Sequence, residues 1–410
     1  MRGPVTRDMD FRDSSDDAAF RAEVREFLAA ELPKDLRAAD DAILGVGIGE
    51  DERERDWLKT LSKRGWVAPA WPTAYGGAGL SVMQQFIFKE EMARAAAPRP
   101  NFLAIGLAGP TIIVHGTEEQ KREHLSGILS GENFWCQGFS EPGAGSDLAS
   151  LQTRAVQDGD DYIINGQKIW TSGAHRSQRM MLLARTDSDV PKHKGISYFL
   201  LNMKSPGITV RPLTNMADTP SFNEVFFDNV RVPKSDMLGE LNRGWYVATT
   251  TLDFERSGII NGVSLQRLVH ELVAFVREGS PSPGRPATTL SHEGRGGMSL
   301  RYELADRAIE AEIAIVLSYR VVTMQAKGMV PSQEASITKL FGSELAQRIA
   351  RTGVKLGGLY GQLREGSPRA PLDGRLDALY RICIGSTLAG GTSEIQRGVI
   401  AQRGLGMPRG

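Results

Sequence analysis

Cysteine, paired histidines and net charge are what this sequence has least of. Its 410 residues include only Cys136 and Cys383, which excludes a disulfide framework and a four-cysteine zinc site. The six histidines form no HxH or HxxxH pair, so no local metal-binding motif is present. The 49 basic residues balance 49 acidic ones. This balance excludes the bulk positive field of a non-specific nucleic-acid-binding protein, and we expect no nucleic-acid partner.

Long apolar runs are missing as well. No stretch of about 18 apolar residues is available to span a bilayer. The charged segment 1–17 lacks the apolar core of a signal peptide. We therefore expect a cytoplasmic protein that does not contact a membrane. Glycine, by contrast, is plentiful, with 45 residues of which many stand in tight clusters.

Changes in periodicity divide the chain into three parts. Residues 1–132 have helical periodicity, residues 133–240 run in short β-rich segments split by turns, and residues 241–410 return to long amphipathic helices. The predicted fold class is α+β, with an N-terminal helical domain, a middle antiparallel β domain and a C-terminal four-helix bundle.

Two local patterns illustrate these predictions. Apolar residues at Phe20, Val24, Phe27 and Leu28 predict a one-faced helix over residues 16–32. In the middle part, Asn165-Gly166 lies between two β-rich triplets, which predicts a hairpin turn.

The densest glycine cluster covers residues 139–147 and follows a strand predicted over residues 134–139. Glycine allows close backbone approach and positive φ, and successive free N–H groups can hold an anionic phosphate. The cluster is not a GxGxxG fingerprint, and no βαβ unit surrounds it, so a Rossmann-type site is excluded. A phosphate-binding loop and a plain tight loop both stay open on these residues alone.

A second cluster, Trp170-Thr171-Ser172-Gly173-Ala174, places an indole and two hydroxyl groups at the end of a predicted strand. An aromatic plane beside hydroxyl donors suits a flat heteroaromatic ligand. A buried tryptophan followed by a polar turn is the other interpretation.

A third cluster covers residues 390–397, where Gly390 and Gly391 precede a helix capped by Thr392 or Ser393. Ser393 with Gln396 fits a capping box. Flexible backbone before a helix N-terminus can bind an anion. A plain helix start without a ligand is equally compatible with these residues.

The fourth cluster, Asp253-Phe254-Glu255-Arg256, lies in a long periodic segment. Glu255 falls in helical register with Ala248, Leu252 and Ile259, on an otherwise apolar stripe. We expect desolvation there to raise the pKa of the carboxyl, which suits a general base near neutral pH. A structural ion pair with Arg256 is the other use of such a residue.

Taken together, the four clusters, in this order and at these separations, resemble those of the acyl-CoA dehydrogenase family. The resemblance extends from Phe20 to Pro408 and includes supporting segments at residues 71–79, 116–121, 222–233 and 401–408. Each motif alone is weak, but the ordered set is specific. It favours the ligand-binding interpretation of the two glycine clusters and of the tryptophan cluster.

The resemblance implies an FAD enzyme of fatty acid and lipid metabolism, one that oxidises an acyl-CoA thioester to the trans-2-enoyl-CoA. In the family a carboxylate removes the α proton, and the β hydrogen leaves as hydride to the flavin. Electrons then usually pass to an electron-transfer flavoprotein. The resemblance also implies an oligomer, which we expect to be a homotetramer, a heterotetramer or a dimer.

The family's FAD contacts fall on residues of three clusters and on one further glycine pair. In the first two clusters they are Phe139, Ser140, Gly145, Ser146, Trp170, Thr171 and Ser172. Near the C-terminus they are Thr392 and Glu394, together with Gly357 and Gly358, which match a pair that reaches the adenine half from a neighbouring subunit. The acyl-CoA contacts implied in the same way are Ser146, Arg256 and Gly391.

One departure from the family pattern concerns the catalytic base. Many relatives carry a glutamate directly before the Gly-Thr of the C-terminal motif, where this chain has Gly390, which cannot take a proton. A smaller set, resembling isovaleryl-CoA and long-chain enzymes, carries it in the middle helix at the position of Glu255. We therefore predict that Glu255 removes the α proton and that Arg256 positions Glu255 or the thioester.

A second departure concerns assembly. Relatives usually have an Arg-containing Gly-x-Pro segment that reaches the FAD pyrophosphate of another subunit. Here the corresponding segment, 279–297, is longer, and Gly284-Arg285-Pro286 lies in surroundings that do not fit. Some bacterial relatives, especially actinobacterial ones acting on bulky CoA thioesters, form heterotetramers in which two different chains complete each site. We predict such a companion chain here.

Two other functions stay open at this point. A flavin-dependent monooxygenase on the same fold would need no base at Glu255. A partner subunit of a heteromeric acyl-CoA dehydrogenase, itself without catalysis, would have no need of a carboxylate on that apolar stripe.

Overall fold

Helices occupy both ends of the chain and strands its middle. The computed structural model describes residues 11–36, 52–253, 258–277 and 295–408. The helices before the sheet are α1 (Ser15–Glu31), α2 (Glu52–Ser62), α3 (Val82–Arg94), α4 (Gly109–His115) and α5 (Glu118–Leu129). The succession of helical, β and helical regions confirms the predicted fold class.

The N-terminal helices begin where the sequence offers caps. The Ser14 hydroxyl accepts the Asp17 N–H ahead of α1, whose buried face is formed by Phe20, Val24, Phe27 and Leu28, as predicted. Ser81 and Thr117 open α3 and α5 with capping boxes. These reciprocal bonds satisfy backbone donors that a helix start would otherwise leave unpaired.

A π-helical turn, Leu103–Ala108, leads directly into α4 and was not predicted. The run from residue 103 to residue 113 is almost entirely apolar or glycine, so no polar face reveals a helical period. The Trp71 indole N–H donates to the Ile105 carbonyl, and an added Cβ at Gly109 would overlap the Trp71 ring. Glycine at position 109 is therefore required for this packing.

The middle of the chain forms one seven-stranded sheet. Its order is β1-β4-β2-β3-β7-β6, with β5 paired to β4. Most pairings are antiparallel, but β1 runs parallel to β4, and β2 meets the end of β4 in parallel. The strands are β1 (Trp135–Gly138), β2 (Arg154–Asp158), β3 (Asp161–Lys168), β4 (Arg179–Arg185), β5 (Ile196–Asn202), β6 (Ile208–Leu213) and β7 (Phe222–Pro233).

The predicted hairpin at Asn165-Gly166 is wrong. β3 continues through both residues, and the pairing with β7 shifts register there. Gly166 has φ +150° and approaches Thr153 so closely that a Cβ would lie 2.6 Å from its hydroxyl oxygen. The glycine therefore serves a β-bulge and not a turn. The real hairpin joins Asp158 to Asp161 across Gly159.

Six α-helices follow the sheet in the described part of the chain. They are α6 (Gly244–Asp253), α7 (Ile259–Arg277), α8 (Arg295–Ala326), α9 (Ser332–Leu356), α10 (Arg375–Ile382) and α11 (Ser393–Val399). Leu268, Leu272, Ala314, Leu345 and Ile349 belong to the core shared by α7, α8 and α9. Most of the loop predicted over residues 279–297 lies outside the described residues.

Helix α7 is apolar enough to resemble a membrane segment. Of the helices in the described ranges, it alone could cross a bilayer by length and composition, and half of its apolar window is buried within the protein. Its buried residues Leu265, Leu268, Val269 and Leu272 pack in the core with α8 and α9.

The N-terminal helices contact both other regions. Phe86 and Ala93 of α3 pack against Ile259 and Val263 of α7 and against Ile315 of α8. A second shared core joins the π-helical turn, α4, α5 and α6 to one face of the sheet. The division of the chain after residues 132 and 240 stays a prediction.

Candidate active site

The first glycine cluster forms a tight turn directly after β1. Glu141 and Ala144 exchange two backbone hydrogen bonds of 3.0 Å, which close the turn. Gly143, Gly145 and Ser146 are exposed, and a Cβ added at either glycine would meet no atom within 4 Å. The turn therefore presents open backbone on which a ligand could lie.

The second cluster lies against the first. The Ile169 N–H donates to the Ser140 carbonyl at 3.0 Å, which places the next residue, Trp170, beside the turn. Trp170 has φ +59° and is 60% exposed, and its ring meets Phe222 edge-on with centroids 6.1 Å apart. A large indole is thus held at the surface in a backbone conformation that non-glycine residues rarely adopt.

Asn223 on β7 holds the residues that follow Trp170. Its backbone carbonyl accepts the Thr171 N–H at 3.1 Å, and its side-chain amide donates to the Thr171 carbonyl at 2.8 Å. The His175 Nδ1 lies 3.1 Å from the Asn223 amide oxygen. Asn223 is fully buried, so these bonds form a protected clamp that leaves Ser172 only partly covered. Sequence reasoning missed it because 52 residues separate the partners.

The loop between β6 and β7 connects the tryptophan cluster to the C-terminal helices. Asp218, between β6 and β7, pairs with Arg364 at 2.8 Å and with Arg381 at 3.0 Å. Arg381 also donates to the Met216 carbonyl. The same loop continues to Ser221, whose carbonyl accepts the Gly173 N–H. The tryptophan cluster therefore adjoins the helical region.

A buried ion pair beneath both clusters was also missed. Lys168 Nζ lies 2.8 Å from Glu141 Oε1 and donates to the Phe139 carbonyl at 3.0 Å. Burial lowers the pKa of Lys168 to about 8, although Glu141 opposes that shift. The sequence does contain a signal for a buried ion pair. Lys168 occupies an inward position of β3, in register with Tyr162 and Ile164, where an ammonium group needs a carboxylate partner.

The third cluster begins α11, and its cap is the first of the two predicted residues. Thr392 is the N-cap and accepts the Ile395 N–H at 3.3 Å, so the capping box of Ser393 with Gln396 is wrong. The Gln396 amide instead donates to the carbonyls of Gly390 and Gly391. This is possible because both glycines have positive φ, +63° and +89°, which turns their carbonyls toward it. Glu394 is exposed, and hydrogen bonds from its own N–H and from Thr392 lower its pKa.

The glycine pair at the end of α9 lies far from the third cluster. Lys339, early in α9, donates to the Gly391 carbonyl at 2.6 Å. Gly357 caps the other end of the same helix, and Gly358 follows with φ +56° and open space around it. At 1.5 Å per residue, Lys339 and Gly357 are about 27 Å apart. Within one chain the two segments therefore lie at opposite ends of α9.

Glu255 and Arg256 lie outside the described residues, but the chain on either side is described. Upstream, Thr251 of α6 is fully buried, and its hydroxyl lies 2.9 Å from that of Thr111 and 3.5 Å from the Tyr198 hydroxyl. The Tyr198 ring in turn meets the Phe139 ring edge-on, with centroids 5.9 Å apart. The upstream flank is thus connected to the first cluster.

The downstream flank is connected to the third cluster. A Cβ added at Gly258 would lie 2.6 Å from the Thr338 methyl group, so the backbone entering α7 touches α9 at that residue. The next residue, Lys339, is the one that holds the Gly391 carbonyl. Ala248 and Ile259, the predicted neighbours of Glu255 on its stripe, are both buried. The described start of α7 therefore contacts α9 at the residue next to the one that holds Gly391.

The side chains around the first two clusters suit a flat polar cofactor such as FAD. Trp170 offers an exposed ring, and Gly143 and Gly145 offer unobstructed backbone. The Thr171 hydroxyl is buried and has no hydrogen-bond partner among the described residues, and the same holds for the Ser393 hydroxyl. Within the described ranges, no three His, Cys, Asp or Glu side chains cluster to hold a metal ion.

Family models match almost the whole chain. The N-terminal, middle and C-terminal domain models of acyl-CoA dehydrogenase match residues 14–132, 136–230 and 242–405. The chain belongs to the acyl-CoA dehydrogenase family. Proteins of this family are FAD-dependent oxidoreductases that dehydrogenate acyl-CoA, so the predicted enzyme class and cofactor are confirmed.

Relatives and solved structures agree with this assignment. Acyl-CoA dehydrogenase FadE26 of Mycobacterium tuberculosis is 36% identical over 95% of this chain and 96% of its own length. The structure described as Tcur3481-Tcur3483 steroid ACAD superposes with a TM-score of 0.83 at 36% identity, covering 98% of this chain and all of that one. The ChsE4-ChsE5 complex from M. tuberculosis superposes with a TM-score of 0.81 at 34% identity, covering 98% and 100%.

Proposed function

We propose that this enzyme oxidises a bulky, polycyclic acyl-CoA thioester to the trans-2-enoyl-CoA, with Glu255 as the base. The observation that carries the proposal is the position of the described flanks of Glu255. Upstream, Thr251 leads through Tyr198 to Phe139, and downstream, Gly258 touches α9 beside the residue that holds Gly391. These described flanks contact the surroundings of two motif clusters, which supports a catalytic role for the glutamate that stands between them in the chain.

The proposed FAD site uses residues of three clusters. Phe139, Ser140, Gly145, Ser146, Trp170, Thr171, Ser172, Thr392 and Glu394 would contact the cofactor bound to their own chain. Gly357 and Gly358 would contact FAD of a neighbouring subunit. Their distance of about 27 Å from Lys339 supports that division, because it separates them from the Gly391 end of α9. When bound, FAD supplies the acceptor for the hydride that leaves the β carbon.

The chain's own residues would bind the thioester and move one proton. Glu255 removes the α proton, a role that Gly390 cannot take because it has no side chain. Ser146, Arg256 and Gly391 would hold the CoA and thioester part of the substrate. The buried neighbours Ala248 and Ile259 support exclusion of water from this place, which strengthens each electrostatic contact within it.

The proposed substrate class rests on the relatives. A structure described as a steroid ACAD matches this chain from end to end at 36% identity. A ring system of that size is the substrate class we propose, in preference to an unbranched fatty acyl chain. We also propose that the enzyme works in the cytoplasm, that an electron-transfer flavoprotein takes its electrons, and that it forms a heterotetramer with a second dehydrogenase chain.

The test is anaerobic titration of the FAD-loaded enzyme with CoA thioesters of straight, branched and steroid acids. We expect the oxidised flavin band to bleach with the steroid thioesters and an enoyl-CoA product to form. Glu255→Gln should slow bleaching roughly 10²- to 10⁴-fold, the usual range for a general base. Glu240→Gln, which removes an exposed carboxylate ahead of α6, is the matched control and should bleach normally.

Other outcomes separate the alternatives. Bleaching by straight-chain thioesters alone would refute the substrate class but leave the reaction intact. Normal bleaching in Glu255→Gln would refute the base. An oxygenated product without an enoyl product, measured in air, would indicate the monooxygenase.

A further inference from the structure

The buried pair of Glu141 and Lys168 joins the two segments of the proposed FAD site. Lys168 is 0% exposed and Glu141 is 7% exposed. Their charged atoms lie 2.8 Å apart, and 27 residues separate them in the chain. Glu141 belongs to the first glycine cluster, whereas Lys168 ends the strand that leads into Trp170.

Each partner also holds the backbone of another part of the chain. Lys168 Nζ donates to the Phe139 carbonyl at 3.0 Å. The Glu141 carboxylate accepts the N–H groups of Gln152 and Thr153, at 2.6 Å and 2.8 Å. Lys168 therefore connects the start of the glycine turn to the end of β3. Glu141 connects the same turn to the residues just before β2.

Stability alone does not explain this arrangement. A buried ion pair commonly contributes no more to folding than well-packed apolar residues of the same volume, because both charges lose their hydration. Burial opposes ionisation of Glu141, but Lys168 and the two N–H donors outweigh it and hold the pKa of Glu141 below its usual range. The pair does supply a defined geometry, because its other three hydrogen bonds are to backbone atoms of the two segments and of the residues before β2.

We propose that Glu141 and Lys168 are positioning residues that hold the glycine turn and the Trp170 segment in the geometry needed to bind FAD. This inference rests on the proposed FAD site. Neither side chain need touch the cofactor, because the pair acts through the Phe139 carbonyl and the Ile169–Ser140 hydrogen bond above it. A turn held in place before FAD arrives loses less conformational entropy on binding, so affinity rises.

The experiment removes FAD from the purified enzyme and measures rebinding to the apoprotein by flavin fluorescence. Lys168→Met should weaken FAD binding about tenfold or more, because it leaves Glu141 buried without its partner. The visible circular dichroism of the flavin, recorded at saturating FAD, should also change, since the residues beside the ring have shifted. A role in folding alone would not alter that spectrum.

The control is an ion pair outside the proposed site, within a cluster that joins α1 to α3. Arg21 of α1 bonds Glu91 of α3 at 2.7 Å, and Glu91 is as buried as Glu141. Arg21→Met should lower the Tm of the apoprotein without changing the FAD affinity or the flavin spectrum. If Lys168→Met behaves as Arg21→Met does, the proposal is refuted.

A double variant covers the case in which Lys168→Met does not fold. Glu141→Gln with Lys168→Met leaves no unpaired charge, so it avoids the main cost of the single change. It should fold, yet bind FAD about tenfold more weakly with an altered spectrum, because the bond to Phe139 is gone. Wild-type affinity in the double variant would overturn the proposal. Failure of the wild-type enzyme to bind FAD in the presence of its companion chain would instead refute the proposed FAD site.

Discussion

At the scale of single residues, Trp170 stands out because it combines strain with exposure. Its φ of +59° costs roughly 1–2 kcal/mol relative to an ordinary backbone conformation. The Phe222 ring contacts Trp170 from β7, and Asn223 holds the next residue, Thr171. Strained residues held by their surroundings are concentrated at functional sites, and a 60% exposed indole has little value for folding.

Comparison of Trp170→Gly with Trp170→Ala tests this interpretation. Glycine elsewhere is about 0.5–1 kcal/mol less favourable than alanine, but at positive φ the order should reverse. We expect the FAD-free Gly variant to have the higher Tm of the two. Both should bind FAD about tenfold more weakly than wild type, within the range of 1–3 kcal/mol that ring stacking contributes.

Asn229→Gly provides the control for Trp170. Asn229 also has positive φ, +50°, but lies on an exposed part of β7. Its replacement should leave FAD binding unchanged. Wild-type FAD affinity in Trp170→Gly would show that the indole does not contact the cofactor.

Residues whose role is local could be predicted from sequence, and those with distant partners could not. The glycine and tryptophan clusters were predicted because glycine spacing and an aromatic beside hydroxyls are visible in a few consecutive letters. The inward position of Lys168 indicates that it needs a carboxylate partner, but nothing near Glu141 in the sequence indicates that Glu141 is that partner. Asn223 was missed for the same reason.

At the scale of elements, the first helix, which is periodic and capped, was predicted within one residue at each end. The predicted helix over residues 16–32 is α1, Ser15–Glu31. The hairpin at Asn165-Gly166 failed because the role of Gly166 depends on its contact with Thr153, which is formed only when β2 and β3 pair. Helix α4 was missed because its sequence is mostly apolar and shows no polar face, although Val114 is exposed.

An ionic cluster joins three of these elements. Arg21 of α1 bonds Glu90 and Glu91 of α3, and Tyr319 of α8 donates to Glu90 at 2.6 Å. Burial disfavours the ionised form of Glu90, but hydrogen bonds from Tyr319, Arg21 and Arg94 outweigh it and lower its pKa. The folded protein therefore favours the Glu90 carboxylate more strongly than the unfolded chain does.

The sign of the pH dependence follows from that shift. Because the folded pKa of Glu90 lies below its ordinary value of 4.5, this stabilisation is present above pH 4.5 and is lost as the pH falls below it. Glu90→Gln should lower the free energy of unfolding by about 1–3 kcal/mol at neutral pH. Between pH 7 and pH 4 the Tm of this variant should fall less than the Tm of wild type. Scanning calorimetry at both pH values measures this. Equal acid sensitivity in the two proteins would contradict it.

At the scale of the whole molecule, α8 carries an apolar stripe that faces outward. Tyr302, Ile309, Ile313 and Val316 are 42–67% exposed. Their spacing of seven, four and three residues places them on one face of the helix. An aligned exposed stripe of this kind marks a contact surface more often than scattered apolar residues do.

The occupant we propose for the α8 stripe is a second, non-identical dehydrogenase chain. Two of the matched structures carry two chain names in their descriptions. The distance of Gly357 and Gly358 from the Gly391 segment fits an arrangement in which each site takes residues from two chains. The companion is then needed for full FAD binding, and not only for stability.

Coexpression with a neighbouring dehydrogenase gene product and native mass spectrometry would test the assembly. We expect equal amounts of the two chains in one FAD-loaded complex. Ile309→Glu places a charge in the middle of the stripe and should dissociate the complex and release FAD. Val156→Glu, at an apolar position of similar exposure on β2, should leave the complex intact. A stable, FAD-loaded tetramer of this chain alone would refute the companion chain. If Ile309→Glu dissociated that tetramer, the stripe would still be an interface, but one between identical copies.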